Sequence, residues 1–123
     1  MEIRQVNRRH RLVCLAALLG LLAGGCAAPT KYYWGHYEDL IYASYSAPGK
    51  VSPEMQVEKL EQDYQKARST NKPVPPGFHA HLGCLYYQLG KMDQARQEFE
   101  TEKVSFPESA VFMDRFLASL KKQ

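Results

Sequence analysis

Residues 76–107, PGFHAHLGCLYYQLGKMDQARQEFETEKVSFP, decide how the rest of the chain is read. Phe78, Leu82, Leu85, Tyr86 and Leu89 recur at helical spacing, so a helix here carries one continuous apolar stripe. Gly90 ends that helix and Lys91 is left for the turn. Met92, Ala95 and Phe99 begin a second stripe, with Asp93 in the first turn, where the helix dipole favours negative charge. Pro107 stops the second helix, because proline cannot continue the ladder of backbone hydrogen bonds. Gly83 falls inside the first helix, where glycine costs about 1 kcal/mol relative to alanine. Close approach of the neighbouring helix is the expected reason for it.

The chain before this hairpin reads as a weaker copy of it. Ser52, Pro53 and Glu54 form a helix start: a serine cap, a proline at the first helical position and an acid in the first turn. Val57, Leu60, Tyr64 and Ala67 give an apolar stripe with Glu58, Glu61, Asp63 and Lys66 outside it. Asn71 suits a left-handed C-terminal cap, and Pro73, Pro75 and Pro76 stiffen the link into the hairpin. Leu60, Tyr64 and Ala67 echo Ala95, Phe99 and Glu102, so residues 37–70 are read as a degenerate preceding repeat. Tyr32, Tyr33, Trp34 and Tyr37, followed by Leu40, Ile41, Tyr42 and Tyr45, open three readings: side chains at lipid headgroup level, a partner-binding patch, or the inner face of a first helix. The packed inner face is preferred, with some of the hydroxyls facing solvent. After Pro107 a last helix over 108–122 carries Ala110, Met113, Phe116, Leu117 and Leu120, and is expected to cap the hairpin. Phe112 lies partly off that stripe.

The first 25 residues read as an address. Arg4, Arg8, Arg9 and Arg11 precede an apolar run over 12–22, long enough for a signal-peptide core and too short to span a bilayer. Ala23, Gly24, Gly25 and Cys26 follow and resemble the lipobox of bacterial lipoproteins, in which the cysteine is acylated after cleavage just before it. The expected organisation is a lipoprotein signal peptide over 1–25, a lipidated tether over 26–31 and a single helical domain over 32–123. Ala27 follows the cysteine in place of the aspartate that resembles an inner-membrane retention signal, which points to the outer membrane of a Gram-negative cell; the periplasmic face is the expected side, though nothing in the residues fixes it. The signal takes four arginines and one glutamate with it, so the whole +3 formal charge goes and the mature chain is neutral. No basic block is left to mark a nucleic-acid binder. Of three cysteines, Cys14 leaves with the signal and Cys26 carries lipid, so Cys84 has no partner for an intrachain disulfide.

Two resemblances bear on this reading. Leu82, Gly83, Tyr86, Ala95, Phe99 and Pro107 resemble the tetratricopeptide signature in a unit of about 34 residues. His79 stands where that family has an aromatic residue, and Glu102 where it has alanine, so loose packing or exposure is expected at Glu102. The segments at 33–38, 75–78, 82–83 and 107–114 resemble a family of small, uncharacterised bacterial lipoproteins with a domain of unknown function. That resemblance implies location and company rather than chemistry: genes of the family tend to lie beside a lipoprotein similar to the curli secretion channel and another small lipoprotein, which implies a shared envelope assembly, and no catalytic residues are assigned.

Catalysis finds little support in the residues. His81 and Cys84, three apart on a helix, are the minimum for an activated thiol, but no carboxylate is near in sequence to orient the histidine. His79 and His81 point about 200° apart on a helix and cannot share a metal ion unaided. Glu98, Glu100 and Glu102 read as a solvated face. The expectation is an all-α, tetratricopeptide-like lipoprotein without catalytic residues, metal or cofactor, palmitate on Cys26 apart. Its expected partners are the membrane and another envelope lipoprotein, which the resemblance implies is similar to the curli channel; nothing suggests nucleic acid or a small-molecule substrate. The alternative is a structural envelope lipoprotein without a dedicated partner. The large side chains least claimed by the stripes, Trp34, Tyr37, Tyr87 and Phe112, are the candidate protein contacts.

Overall fold

The computed structural model describes residues 29–121, and every regular element among them is helical. In chain order these are α1 (Tyr37–Ser46), α2 (Pro53–Ser69), α3 (Phe78–Gln88), α4 (Met92–Ser105), a short 3-10 turn (Pro107–Ser109) and α5 (Ala110–Leu120). The expected signal peptide and Cys26 lie outside the described residues. No described helix is long and apolar enough to cross a membrane.

Local chemistry sets most boundaries. The Ser52 hydroxyl accepts from the Met55 N–H at 3.3 Å and starts α2, and Asn71 takes a φ of +52° just after it. Gly90, at φ +72°, turns the chain between α3 and α4. The last helix begins at the first residue of its stripe, two residues later than the expected 108, because Pro107, Glu108 and Ser109 form the tighter 3-10 turn before α5.

The central hairpin is antiparallel: His79 of α3 meets Glu98 of α4, and Gly77, just before α3, meets Glu102 near the end of α4. Phe78, Leu82, Leu85, Tyr86, Ala95 and Phe99 are all buried between its neighbours. Gly83 explains itself here. A Cβ on it would sit 2.6 Å from Cε1 of Phe99, so the aromatic ring occupies the space that any larger residue needs. Phe99 is itself wedged from the other side by Phe116, stacked at 5.0 Å and 16°. Leu40, Val57, Leu60 and Ala67 extend the core under α1 and α2, and Met113 and Leu120 close it under α5.

Glu102 is neither loose nor exposed. Its side chain is 2% accessible, and its carboxylate accepts from the Gly77 N–H at 2.7 Å and the Ala80 N–H at 3.3 Å. Those are two of the donors that the first turn of a helix leaves without intrahelical partners. Gly77 has no side chain with which to cap α3, and its φ of +88° favours glycine. An acid from the opposite helix supplies the cap, where the dipole also favours it. Asp63 does the same for the first hairpin. Expected on the outer face of α2, it is 3% accessible, and its carboxylate accepts from the backbone N–H of His36, the residue preceding α1, at 2.6 Å. The His36 imidazole lies 3.0 Å from the other oxygen.

Two further expectations are overturned near α1. Tyr32, Tyr33 and Trp34 precede the helix in extended and bent chain, pinned by a 2.8 Å bond from the Tyr33 N–H to the Pro73 carbonyl. Tyr42 and Tyr45 face outward at 73% and 83% accessibility, because Leu40 is the residue α1 turns inward.

The packing at Gly83 makes a direct prediction. Gly83→Ala gains about 1 kcal/mol of helix propensity but overpacks the Phe99 ring by about 1–3 kcal/mol. A net loss of stability is expected, read as a lower urea midpoint; a midpoint equal to or above that of the unaltered chain contradicts the packing.

Candidate functional site

The four residues singled out as contacts fall at two places. Tyr37 and Trp34 stack on each other at 6.4 Å and 26°, beside the amino end of α3. Tyr87 lies in the last turn of α3, about 15 Å further along that helix. Phe112 lies on α5, one helical turn before Phe116.

Tyr37 belongs to the packing more than to the surface. Its ring contacts Phe78 at 5.5 Å and His81 at 6.1 Å, and its hydroxyl fills the space beside Gly77, where a Cβ would come within 2.8 Å of it. Burial, and then the nearby Glu102 carboxylate, raise its phenol from 10.0 to about 12. Trp34 is half-buried and meets Tyr32 edge-on at 6.4 Å.

The second place is apolar and open. Phe112 and Val111 are each 64% accessible, and Phe116 is partly exposed despite its stack on Phe99. Cys84, Tyr87, Gln88, Phe99, Phe116 and Ser119 line a hollow of about 340 Å³ there. Phe112, expected off the stripe, is where its spacing places it. The Phe116 ring, expected inside, is shared between core and surface.

On a different side, residues 31 and 32, the carboxyl ends of α2 and α4 and the α2–α3 link enclose a cleft of about 650 Å³. Tyr32, Tyr64, Val74 and Phe106 give it apolar walls, and Lys31, Arg68 and Lys72 bring cations to it. Tyr32 meets Phe106 edge-on at 6.3 Å, which holds the leading segment against the end of α4. His79 lines the same cleft, 4% accessible, with its Nδ1 2.6 Å from a Glu98 carboxylate oxygen and its ring edge-on to Tyr64 at 5.1 Å. His79 therefore occupies its aromatic position by packing as an aromatic, with Glu98 holding its polar edge. The acidic run of α4 is no uniform solvated face: Glu102 is buried, Glu98 is half-buried on His79, and Glu100 is exposed.

His81 and Cys84 face different surroundings. The His81 Nε2 lies 3.3 Å from the Gln56 amide oxygen, and burial holds the imidazole below its ordinary range. Cys84 lines the apolar hollow, where burial pushes its thiol up and away from thiolate. Tyr86, raised by burial and then by its hydrogen bond to Glu61, ties α3 to α2. Among the described residues no three His, Cys, Asp or Glu side chains gather into a group that could hold a metal ion.

A family model matches residues 31–116, from the lysine at the basic cleft to the phenylalanine stacked on the core. The chain belongs to DUF4810, a domain of unknown function. The match takes in both hairpins and most of α5. No curated protein and no solved structure matches the chain.

The Tyr37 phenol predicts a pH dependence. Its folded value lies above that of the unfolded chain, so the fold favours the protonated form. The contribution is whole below pH 10 and is lost as pH rises toward about 12. Urea midpoints over that range are expected to fall less steeply in Tyr37→Phe than in the unaltered chain; equal slopes contradict the burial of the hydroxyl.

Proposed function

We propose that this DUF4810 protein is a lipid-anchored, non-catalytic subunit of an outer-membrane assembly, with Cys26 as the acylated residue and α5 as its main docking face. The observation that carries the docking face is the exposed apolar pair on α5, Phe112 and Phe116, one helical turn apart, with Phe116 lining the hollow at Tyr87. Contiguous apolar surface of this kind, when it is not spent on the protein's own core, marks a contact with another protein. The two hairpins are read as tetratricopeptide-like units, the first of them degenerate, with α5 as the terminal helix; a terminal helix ordinarily turns a polar face outward, so exposed phenylalanines on it call for a partner. Gly83 under Phe99 and the fully buried Ala95 support that reading.

The anchored part rests on the sequence: the basic start, the short apolar run and Ala23-Gly24-Gly25-Cys26. The resemblance to envelope lipoproteins suggests a lipoprotein similar to the curli secretion channel as the partner. Trp34, half-buried on Tyr37, contributes less to docking than Tyr87 and Phe112.

Phe112→Glu places a charge in the apolar pair without touching the buried core. Its thermal midpoint is expected to stay within a few degrees, while recovery of a stoichiometric partner from detergent-solubilised envelopes falls more than tenfold, as at a binding hot spot. Unchanged recovery, or the absence of any stoichiometric partner of the unaltered protein, contradicts the proposal in favour of a stand-alone structural lipoprotein. Labelled palmitate is expected on the unaltered chain and not on Cys26→Ser.

A further inference from the structure

We propose that the basic cleft binds the phosphodiester headgroup of an anionic phospholipid, in the bilayer to which Cys26 would tether the chain. The inference rests on the anchored reading above and adds a second, non-covalent contact with the same membrane. Lys31 from the leading segment and Arg68 and Lys72 from the end of α2 and the turn after it converge on one cleft, and none of the residues lining it is an aspartate or glutamate. No carboxylate among the described residues lies within ion-pairing distance of any of the three cations. Two of them rest on aromatic rings instead, Lys31 over Tyr32 at 5.1 Å and Arg68 over Tyr64 at 6.0 Å. Acids gather elsewhere, with Glu58, Glu61 and Glu98 around a different hollow. A cleft with cations at its mouth and aromatic walls suits an anion that carries hydrocarbon with it: the phosphate meets the ammonium and guanidinium groups, and the glycerol and upper acyl carbons meet tyrosine and phenylalanine.

Position selects a lipid over an acidic peptide. Lys31 is a wall of the cleft and also the last residue of the tether, five residues from Cys26, a span of about 17 Å when fully extended. The tether and the cleft mouth therefore share one residue, and an acylated Cys26 holds that mouth within reach of headgroups at high local concentration. The Tyr33–Pro73 backbone bond and the Tyr32–Phe106 contact keep Lys31 beside the cleft. A phosphate monoanion free in solution shares the recognised chemistry but not the hydrocarbon.

Native mass spectrometry of the mature protein, purified from envelopes in neutral detergent with equal mole fractions of phosphatidylglycerol and phosphatidylcholine, tests the site. Phosphatidylglycerol adducts are expected to exceed phosphatidylcholine adducts at least tenfold. The triple variant Lys31→Gln, Arg68→Gln, Lys72→Gln is expected to lose that preference with an unchanged circular dichroism spectrum, and Lys31→Arg with Lys72→Arg to keep it. Equal adduct levels for the two lipids, or a preference that survives the triple variant, overturns the proposal. Displacement of phosphatidylglycerol by millimolar inorganic phosphate assigns the site to free phosphate and overturns the lipid source. Displacement by a lower concentration of a glutamate- and tyrosine-containing peptide assigns it to a protein and does the same. The mass of the chain in the same spectrum reports acylation of Cys26 separately, so failure of the anchor and failure of the headgroup site are distinguishable.

Discussion

A carboxylate buried at the start of a helix it does not belong to holds this fold in shape. Glu102, near the end of α4, accepts from the N–H groups of Gly77 and Ala80 at the amino end of α3. A buried acid is costly unless its oxygens find donors, and a helix start is costly unless its donors find oxygens. Each requirement meets the other, and the two helices are registered by the pairing. Asp63 repeats the arrangement between α2 and the start of α1. Two hairpins are thus closed by one device, an acid on the returning helix reaching the first turn of the outgoing one.

The surface is shaped by what that device consumes. Tyr37 is drawn down beside Gly77 and Phe78, which takes it from the exposed aromatic cluster and leaves Trp34 stacked on it. Glu98 is occupied by His79 and Glu61 by Tyr86. The cations around Lys31 have no such partners within the described chain, and the apolar pair on α5 has no described helix beyond it. Both are surfaces whose chemistry is incomplete without something else, and they differ in kind: one suits an anion, the other an apolar partner.

The hairpin could be read from sequence because its signals are local. Helical spacing, Gly90, Pro107 and the Ser52-Pro53 start act within a few residues, and Gly83 announces a close contact by its cost alone. Glu102 and Asp63 escape a reading of the sequence for the opposite reason. Their partners lie 25 and 27 residues away, where capping rules based on nearby positions do not reach, and an acid on a helix is ordinarily solvent-facing. The outward placement of Tyr42 and Tyr45 escapes it too, because a short helix supported by a single buried residue, Leu40, has too little apolar periodicity to set its rotation. The contact residues divided because distance along a helix is invisible in a list of large side chains: Tyr37 and Tyr87 flank opposite ends of α3.

The closure of the central hairpin is tested most directly by native-state hydrogen exchange at the Gly77 amide, which has Glu102 as its acceptor. The expected result is protection close to that of the core amides of α3, with exchange only as the domain unfolds, and its loss in Glu102→Ala. A Gly77 amide that exchanges at the rate of an open loop in the unaltered protein contradicts the pairing.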